Sequence, residues 1–340
     1  VRGMTWARLV AVSWLATAAL AAAAGAADAT EPPVITDPVY TAPVRLVDVG
    51  GGRRINLYCR GTGSPAVIFD SGLSDSTIAW ARVQPVISET NMTCSYDRAG
   101  LGFSDAATRP GTPRNDVDDI HKALRIAGVR PPYVVVGHSS GGRAVRVFAD
   151  RYRSEVVGMV LVDPSHEDQD RRLQALDKAE GHVRPKPAAD EVNCVDAAKS
   201  GTIPTDSPAY ATCVGEPDAR FSEAINAANM RIAATLAYQQ AVASEYQTFP
   251  REGAEQTRAT RRDFGDMPLI VLDAPYTRLK RFTQAQYDAR SAMKDQMHRE
   301  LAAMSSRGSI EYVANTSHLI PFDRPEVVID AIRRVLAGDN

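Results

Sequence analysis

Val134-Val135-Val136-Gly137-His138-Ser139-Ser140-Gly141-Gly142 is the stretch whose reading decides the fold. Three valines, β-branched and suited to a buried strand, run up to Gly137, and a helical pattern begins at Ser140. Ala144, Val145, Phe148, Ala149 and Tyr152 then share one helix face. Ser139 therefore occupies a tight strand-to-helix turn at the centre of Gly-x-Ser-x-Gly. Such a turn strains the serine backbone, and glycine at 137 and 141 removes Cβ atoms that would strike the neighbouring strand or helix. The hydroxyl is lifted above the sheet edge, where a base can reach it. Backbone N–H groups point at the place where an oxyanion would form.

Outward from this turn, strand and helix patterns alternate. Residues 44–49 and 54–59 flank Gly50-Gly51-Gly52 as an opening hairpin, and residues 66–69, 92–96, 156–162, 268–272 and 310–313 read as further strands. Helical spacing covers residues 77–89, which Pro85 should kink or divide, and residues 115–127. It resumes through Met293, Met297, Leu301 and Met304, a stripe read as core packing, and ends in an amphipathic helix from Val327 to Leu336. This order predicts an α/β fold with a mainly parallel sheet covered on both faces. Residues 164–266 differ: they are polar, lack buried-strand runs, and read as a largely helical insertion in which Ile225, Ala228, Ile232, Leu236 and Gln239 share one helix face.

With 340 residues, 44% hydrophobic and 24% charged, the chain has ample material for a core. A formal net charge of −2 gives no electrostatic case for a nucleic-acid or membrane-surface partner. Residues 1–27 read as a cleavable signal peptide, with Arg2 and Arg8 before an apolar run over 9–24 and small residues Ala24-Gly25-Ala26 at the cleavage site. That run is mostly alanine and short of the roughly 20 residues of a membrane span, so no stable membrane anchor is expected. A secreted or periplasmic location follows as the expectation, with residues 28–43 as an extended, proline-rich lead-in. Cys59, Cys94, Cys194 and Cys213 allow three pairings, and an oxidising compartment would favour disulfides. None lies in C-x-x-C or a histidine-rich spacing, so neither a metal nor another cofactor is expected. Nothing in the sequence identifies a protein partner.

With these residues in place, the chain resembles the α/β-hydrolase family of serine esterases and lipases over residues 44–336, interrupted by the insertion. Four stretches carry the resemblance in order. They are Asp70-Ser71-Gly72-Leu73, the loop from Tyr96 through Asp97, Arg98 and Gly100 to Ser104, the turn around Ser139, and Ser317-His318-Leu319-Ile320-Pro321. The resemblance implies an eight-stranded, mostly parallel sheet, with residues 44–163 and 267–340 as the core and 164–266 as a cap. It also implies Ser139 as nucleophile and His318 as general base in the order Ser…Asp…His. The backbone N–H groups of Ser140 and Leu73 are then the oxyanion donors, although many relatives carry His-Gly in place of Ser71-Gly72. For the acid it leaves two strand ends, Asp163 and, as second choice, Asp273, because the usual Gly-x-x-Asp turn is replaced by Asp273-Ala274-Pro275-Tyr276. Asp97 and Arg98 are expected to brace their turn.

The family's second and fourth strands are antiparallel neighbours, which implies the disulfide Cys59–Cys94, and with it Cys194–Cys213 inside the insertion. His138 is expected to pack within the turn. His121, His298, His166 and His182 are given structural or surface roles, with His166 a candidate for lining the pocket. The function implied is a secreted serine hydrolase acting on a small-molecule carboxylic ester. Amidase, lactonase, acyltransferase and carbon–carbon bond hydrolase readings share the same residues, and a non-catalytic binding protein on a hydrolase scaffold remains open. Members that open epoxides or remove halogens use an aspartate nucleophile, against which Ser139 argues.

Overall fold

Eight strands form one sheet in the order β1-β2-β4-β3-β5-β6-β7-β8. They are β1 (Leu46–Gly50), β2 (Arg53–Arg60), β3 (Ala66–Asp70), β4 (Thr93–Tyr96), β5 (Tyr133–His138), β6 (Val156–Val162), β7 (Leu269–Asp273) and β8 (Gly308–Tyr312). The computed structural model describes residues 33–181, 193–261 and 263–339; the expected signal peptide, the start of the lead-in and His182 lie outside them. β1 and β2 pair antiparallel, as do β2 and β4, and every other neighbouring pair is parallel. Every residue of β3, β5 and β7 is buried, as expected of parallel strands covered on both faces.

The period of two along these strands sorts the core into two layers. Ile68, Val135, Leu161 and Val271 pack against helices α2 (Pro113–Ala127) and α3 (Gly141–Arg151), whereas Phe69, Val136, Val162 and Leu272 face the opposite layer. That second layer includes α1 (Gln84–Ile87) and the C-terminal helix Pro325–Ala337. Pro85 divides the stretch 77–89 into a 3-10 turn, Thr77–Trp80, and α1, where proline falls in the first helical turn and no backbone donor is lost.

Residues 164–266 contain α4 (Gln169–Ala179), α5 (Cys194–Ala197), α6 (Tyr210–Val214), α7 (Glu223–Ala233), α8 (Leu236–Thr248) and α9 (Glu252–Arg258) among the described residues. The single helix expected through Ile225 and Gln239 is in fact two. Thr235 takes an extended conformation and its hydroxyl caps α8 by accepting from the Tyr238 N–H, so a new helix starts where the apolar spacing alone suggested continuation. After β7 come α10 (Gln284–Ala302), β8, α11 (Ile320–Asp323) and α12, the C-terminal helix. Among the described residues no helix is long and apolar enough to cross a membrane.

Cys59 stands opposite Cys94 in the β2–β4 ladder, with Cα atoms 4.1 Å apart, and the two sulfurs are at bonding distance. Cys194 and Cys213 form the second such pair and tie α5 to α6.

Candidate active site

Three adjacent parallel strands end at one level of the sheet, and each end delivers a polar side chain. After β5 comes Ser139, after β6 Asp163, and β7 closes on Asp273. Val162 pairs with Leu272 across the sheet, so the two aspartates are lateral neighbours. Ser139 and Asp163 both adopt left-handed backbone conformations, with φ of 52° and 41°, which few residues other than glycine accept without strain. The surroundings enforce it. The Ser139 N–H donates to Val162 O at 3.0 Å, and its carbonyl accepts from Gly142 and from Ser165. Glycine is required on either side, because a Cβ on Gly137 would lie 2.5 Å from the Gly141 oxygen and one on Gly141 2.3 Å from the Asp70 oxygen.

His318 comes from the loop between β8 and α11. Its Nδ1 lies 2.5 Å from Asp163 Oδ2, and its ring is half-exposed. Among the described residues Nε2 has no hydrogen-bond partner. Burial pushes the Asp163 carboxyl upward, but the His318 hydrogen bond and the Lys294 ammonium outweigh it and bring its pKa down to about 2. His138 holds the loop from below: its Nε2 lies 2.9 Å from the His318 carbonyl, and the two rings are 4.8 Å apart. A carbonyl only accepts, so Nε2 carries the proton, and Nδ1 is left buried without a partner. Burial, followed by the neighbouring His318, holds the His138 pKa down to about 4, in keeping with a neutral ring.

Ser139, Asp163 and His318 line one cavity of about 300 Å³. Met293 and Met297 also line it, which corrects the reading of that stripe as core alone; Leu301 and Met304 do pack in the core. His166 does not line it. It is buried instead, with Nδ1 accepting from the Asp168 N–H at 3.0 Å and its carbonyl accepting from Arg143.

The turn at 71–73 lies beside Ser139, since a Cβ on Gly72 would stand at ordinary contact distance, 3.5 Å, from Ser139 Cβ. Among the described residues the N–H groups of Leu73 and Ser140 find no acceptor, which leaves both donors free for an incoming oxygen. Arg98 fixes this turn. Its guanidinium donates to Asp70, to the carbonyls of Ser71 and Gly72 at 3.0 and 2.6 Å, and to Glu245 of α8 at 2.6 Å. Asp97 beside it accepts from the N–H groups of Thr77 and Phe103 and from Asn56, so both residues brace the loops around the site.

Asp273 makes no hydrogen bond to His318. Its carboxylate accepts from Lys294 and lies 2.8 Å from His298 Nδ1, and the other His298 nitrogen lies 3.0 Å from the Pro164 carbonyl. Asp163, Asp273 and His298 converge closely enough for a cation, but the Lys294 ammonium already occupies the space between the carboxylates. A second converging group, His166, Glu167 and Asp168, is engaged with Arg146 and Arg258. Lys294 and Glu245 are the residues that sequence reasoning missed, and Asp70 was quoted within its turn without a role. Lys294 and His298 are spaced i, i+4 beside Met293 and Met297, and that polar pair within an apolar stripe was the available signal.

Residues 67–331 match the Alpha/beta hydrolase family. Among curated proteins, YqjL of Bacillus subtilis strain 168 is 30% identical over 106 residues, covering 31% of this chain and 42% of that protein. The chain spans between 15% and 42% of the length of the first three such relatives. Among solved structures, ALR0039 from Nostoc sp PCC 7120 superposes with a TM-score of 0.63 at 19% identity, covering 86% of this chain and 97% of that one. A thermophilic esterase from Thermogutta terrifontis gives 0.54 at 18% identity, covering 86% and 96%. Epoxide hydrolases and a serine hydrolase of carbazole degradation share the fold as well. With an eight-stranded sheet and a sharp turn at Ser139, and with a family match over more than three quarters of its length, this chain belongs to the alpha/beta hydrolase family.

Proposed function

We propose that this hydrolase cleaves a carboxylic ester of a small molecule through Ser139, His318 and Asp163. The observation that carries this reading is the His318–Asp163 hydrogen bond beside a cavity that Ser139 also lines, with Nε2 of the imidazole left free. In this scheme Asp163 holds the Nδ1 proton and orients the ring. Nε2 takes the Ser139 proton as Oγ attacks the ester carbonyl, and returns it to the departing alcohol. The Ser140 and Leu73 N–H groups receive the developing oxyanion, each contributing about 10²–10³ in rate. Water activated by His318 then hydrolyses the acyl-serine.

Epoxide opening, an activity carried in the titles of several structural neighbours, fits a serine poorly. Alkylating Ser139 would give an ether, which water does not hydrolyse, whereas an aspartate nucleophile gives an ester. Amide cleavage stays within the same chemistry. The 2-(acetamidomethylene)succinate hydrolase of Mesorhizobium japonicum, 30% identical over 163 residues, makes amides worth including among test substrates. The two cysteine pairs at bonding distance support export to an oxidising compartment, which the mass of the protein recovered from the medium or periplasm would test.

A panel of p-nitrophenyl esters of graded acyl length, run with amides and lactones, tests the activity. Labelling by a fluorophosphonate that is lost in Ser139→Ala tests the nucleophile. A protein that binds panel compounds without turning any of them over, and resists the label, would be a binding protein on this scaffold.

A further inference from the structure

Lys294 is a lysine where the chemistry above does not call for one. It sits on α10, one turn before His298, and its side chain, 14% exposed, reaches the same cavity as Ser139. Its ammonium has three protons and three oxygen neighbours: Asp163 Oδ1 at 2.6 Å, Asp273 Oδ1, and the Ala274 carbonyl at 2.5 Å. With every donor engaged, the cation has none left for a substrate anion. What it touches is the carboxylate behind His318. Asp163 is held on both sides, Oδ2 by His318 and Oδ1 by Lys294 and by the Ala274 N–H at 3.1 Å, so the group cannot rotate without breaking three contacts. Oxygen atoms of Asp163 and Asp273 lie within 4.8 Å of each other, and two buried carboxylates that close do not both stay ionised without a cation between them.

We propose that Lys294 is a positioning residue of the site: it offsets the charge of Asp273 and clamps Oδ1 of Asp163, so that Asp163 stays ionised with Oδ2 toward His318. This rests on the serine-hydrolase reading above. The charged and titratable groups around His318 and the carboxylates behind it are Asp163 from β6, His138 from β5, Lys294 and His298 from α10 and Asp273 from β7, with Asp295 of α10 beside Asp273 and Lys294 and Asp323 of α11 tied to Ser317. Burial works against the Lys294 ammonium, yet the two carboxylates outweigh it and hold its pKa above the ordinary lysine value.

The test is the pH profile of ester hydrolysis, because the acid limb of kcat/KM reports the base of the free enzyme. Lys294→Met leaves two carboxylates competing for one proton. Its kcat is expected to fall by about 10- to 100-fold with KM within about threefold, and its acid limb to move up by about one pH unit. Asp273→Asn keeps the cation and removes the charge it offsets, so its limb is expected to move down. The double variant removes the competition and is expected to recover at least about tenfold over Lys294→Met. Should Lys294→Met fail to fold, Asp273→Asn decides: a downward limb supports the assignment, and a limb that stays or rises overturns it. Wild-type limbs in both single variants overturn it too. If no ester is cleaved, or if Ser139→Ala cleaves esters like wild type, the hydrolase reading fails. An active, Ser139-dependent enzyme with unmoved limbs refutes the Lys294 assignment alone.

Discussion

Two carboxylate–imidazole pairs stand side by side at the ends of β6 and β7. Asp163–His318 closes at 2.5 Å and Asp273–His298 at 2.8 Å, and Lys294 bridges the two carboxylates. By residue type and distance the pairs are nearly interchangeable; the far side of each ring separates them. The His318 side chain is 45% exposed and lines the cavity, and among the described residues its second nitrogen has no hydrogen-bond partner. That of His298 is 2% exposed, and its second nitrogen meets the Pro164 carbonyl. Both His298 nitrogens are therefore engaged, one by a carboxylate and one by a carbonyl, and neither is left free to take a proton from a substrate. A general base is thus distinguished by a nitrogen kept free, and a carboxylate partner alone does not make one.

The largest expected effect breaks the comparison outright. His318→Ala should lower kcat/KM by about 10⁴- to 10⁶-fold, as removal of a triad member does, while His298→Ala stays within about tenfold. Steady-state kinetics on the best panel ester, corrected by fluorophosphonate titration of active sites, measures both. Equal losses would erase the distinction drawn here. The acids should divide the same way: Asp163→Asn is expected to cost about 10⁴-fold through the wrong tautomer, and Asp273→Asn to keep the plateau rate within about tenfold.

Stability should show the pairs more nearly alike. The Asp163 carboxyl titrates at about 2 in the fold, and that of Asp273 is also lowered, with the His298 hydrogen bond outweighing the upward push of burial. For a depressed carboxylate the stabilisation is complete above its ordinary value and is lost as pH falls through its folded one. Urea melts should therefore lose about 2 kcal/mol from Asp163 between roughly pH 4 and pH 2, a slope that Asp163→Asn flattens. The smallest effect sharpens the contrast in the opposite sense. His298→Ala strands the Asp273 carboxylate and the Pro164 carbonyl and should cost about 1–2 kcal/mol, whereas the half-exposed His318 should cost less.

The centre of the sheet was legible in the sequence because β3, β5, β6 and β7 carry apolar runs rich in Val, Ile and Leu, and the turn at Ser139 because its glycines have no substitute. Asp163 and Asp273 were both legible as strand ends. Asp163 was placed first and Asp273 second, but the Asp273–His298 pair was not foreseen, because no local pattern records which side chains a distant helix such as α10 brings to a strand end. The break at Thr235 was hidden for a related reason: Ile232 and Leu236 continue the helical spacing across it, while a single hydroxyl resets the backbone. His166 was read as structural, with the pocket as a second possibility because a histidine two residues past Pro164 looks poised for one. In the fold its ring turns inward to serve the Asp168 N–H.

Arg98 carries a consequence for how the insertion relates to the core. The same guanidinium that grips the Ser71 and Gly72 carbonyls also grips Glu245, whose second oxygen accepts from the Ser74 N–H at 2.7 Å. Helix α8 and the turn bearing Leu73 are one mechanical unit, and α8 cannot swing outward without dragging the proposed oxyanion donor with it. Transplanting an insertion from a relative onto this core would therefore have to deliver a carboxylate at the place of Glu245, or the graft would fold over a turn no longer held where the proposed chemistry needs it.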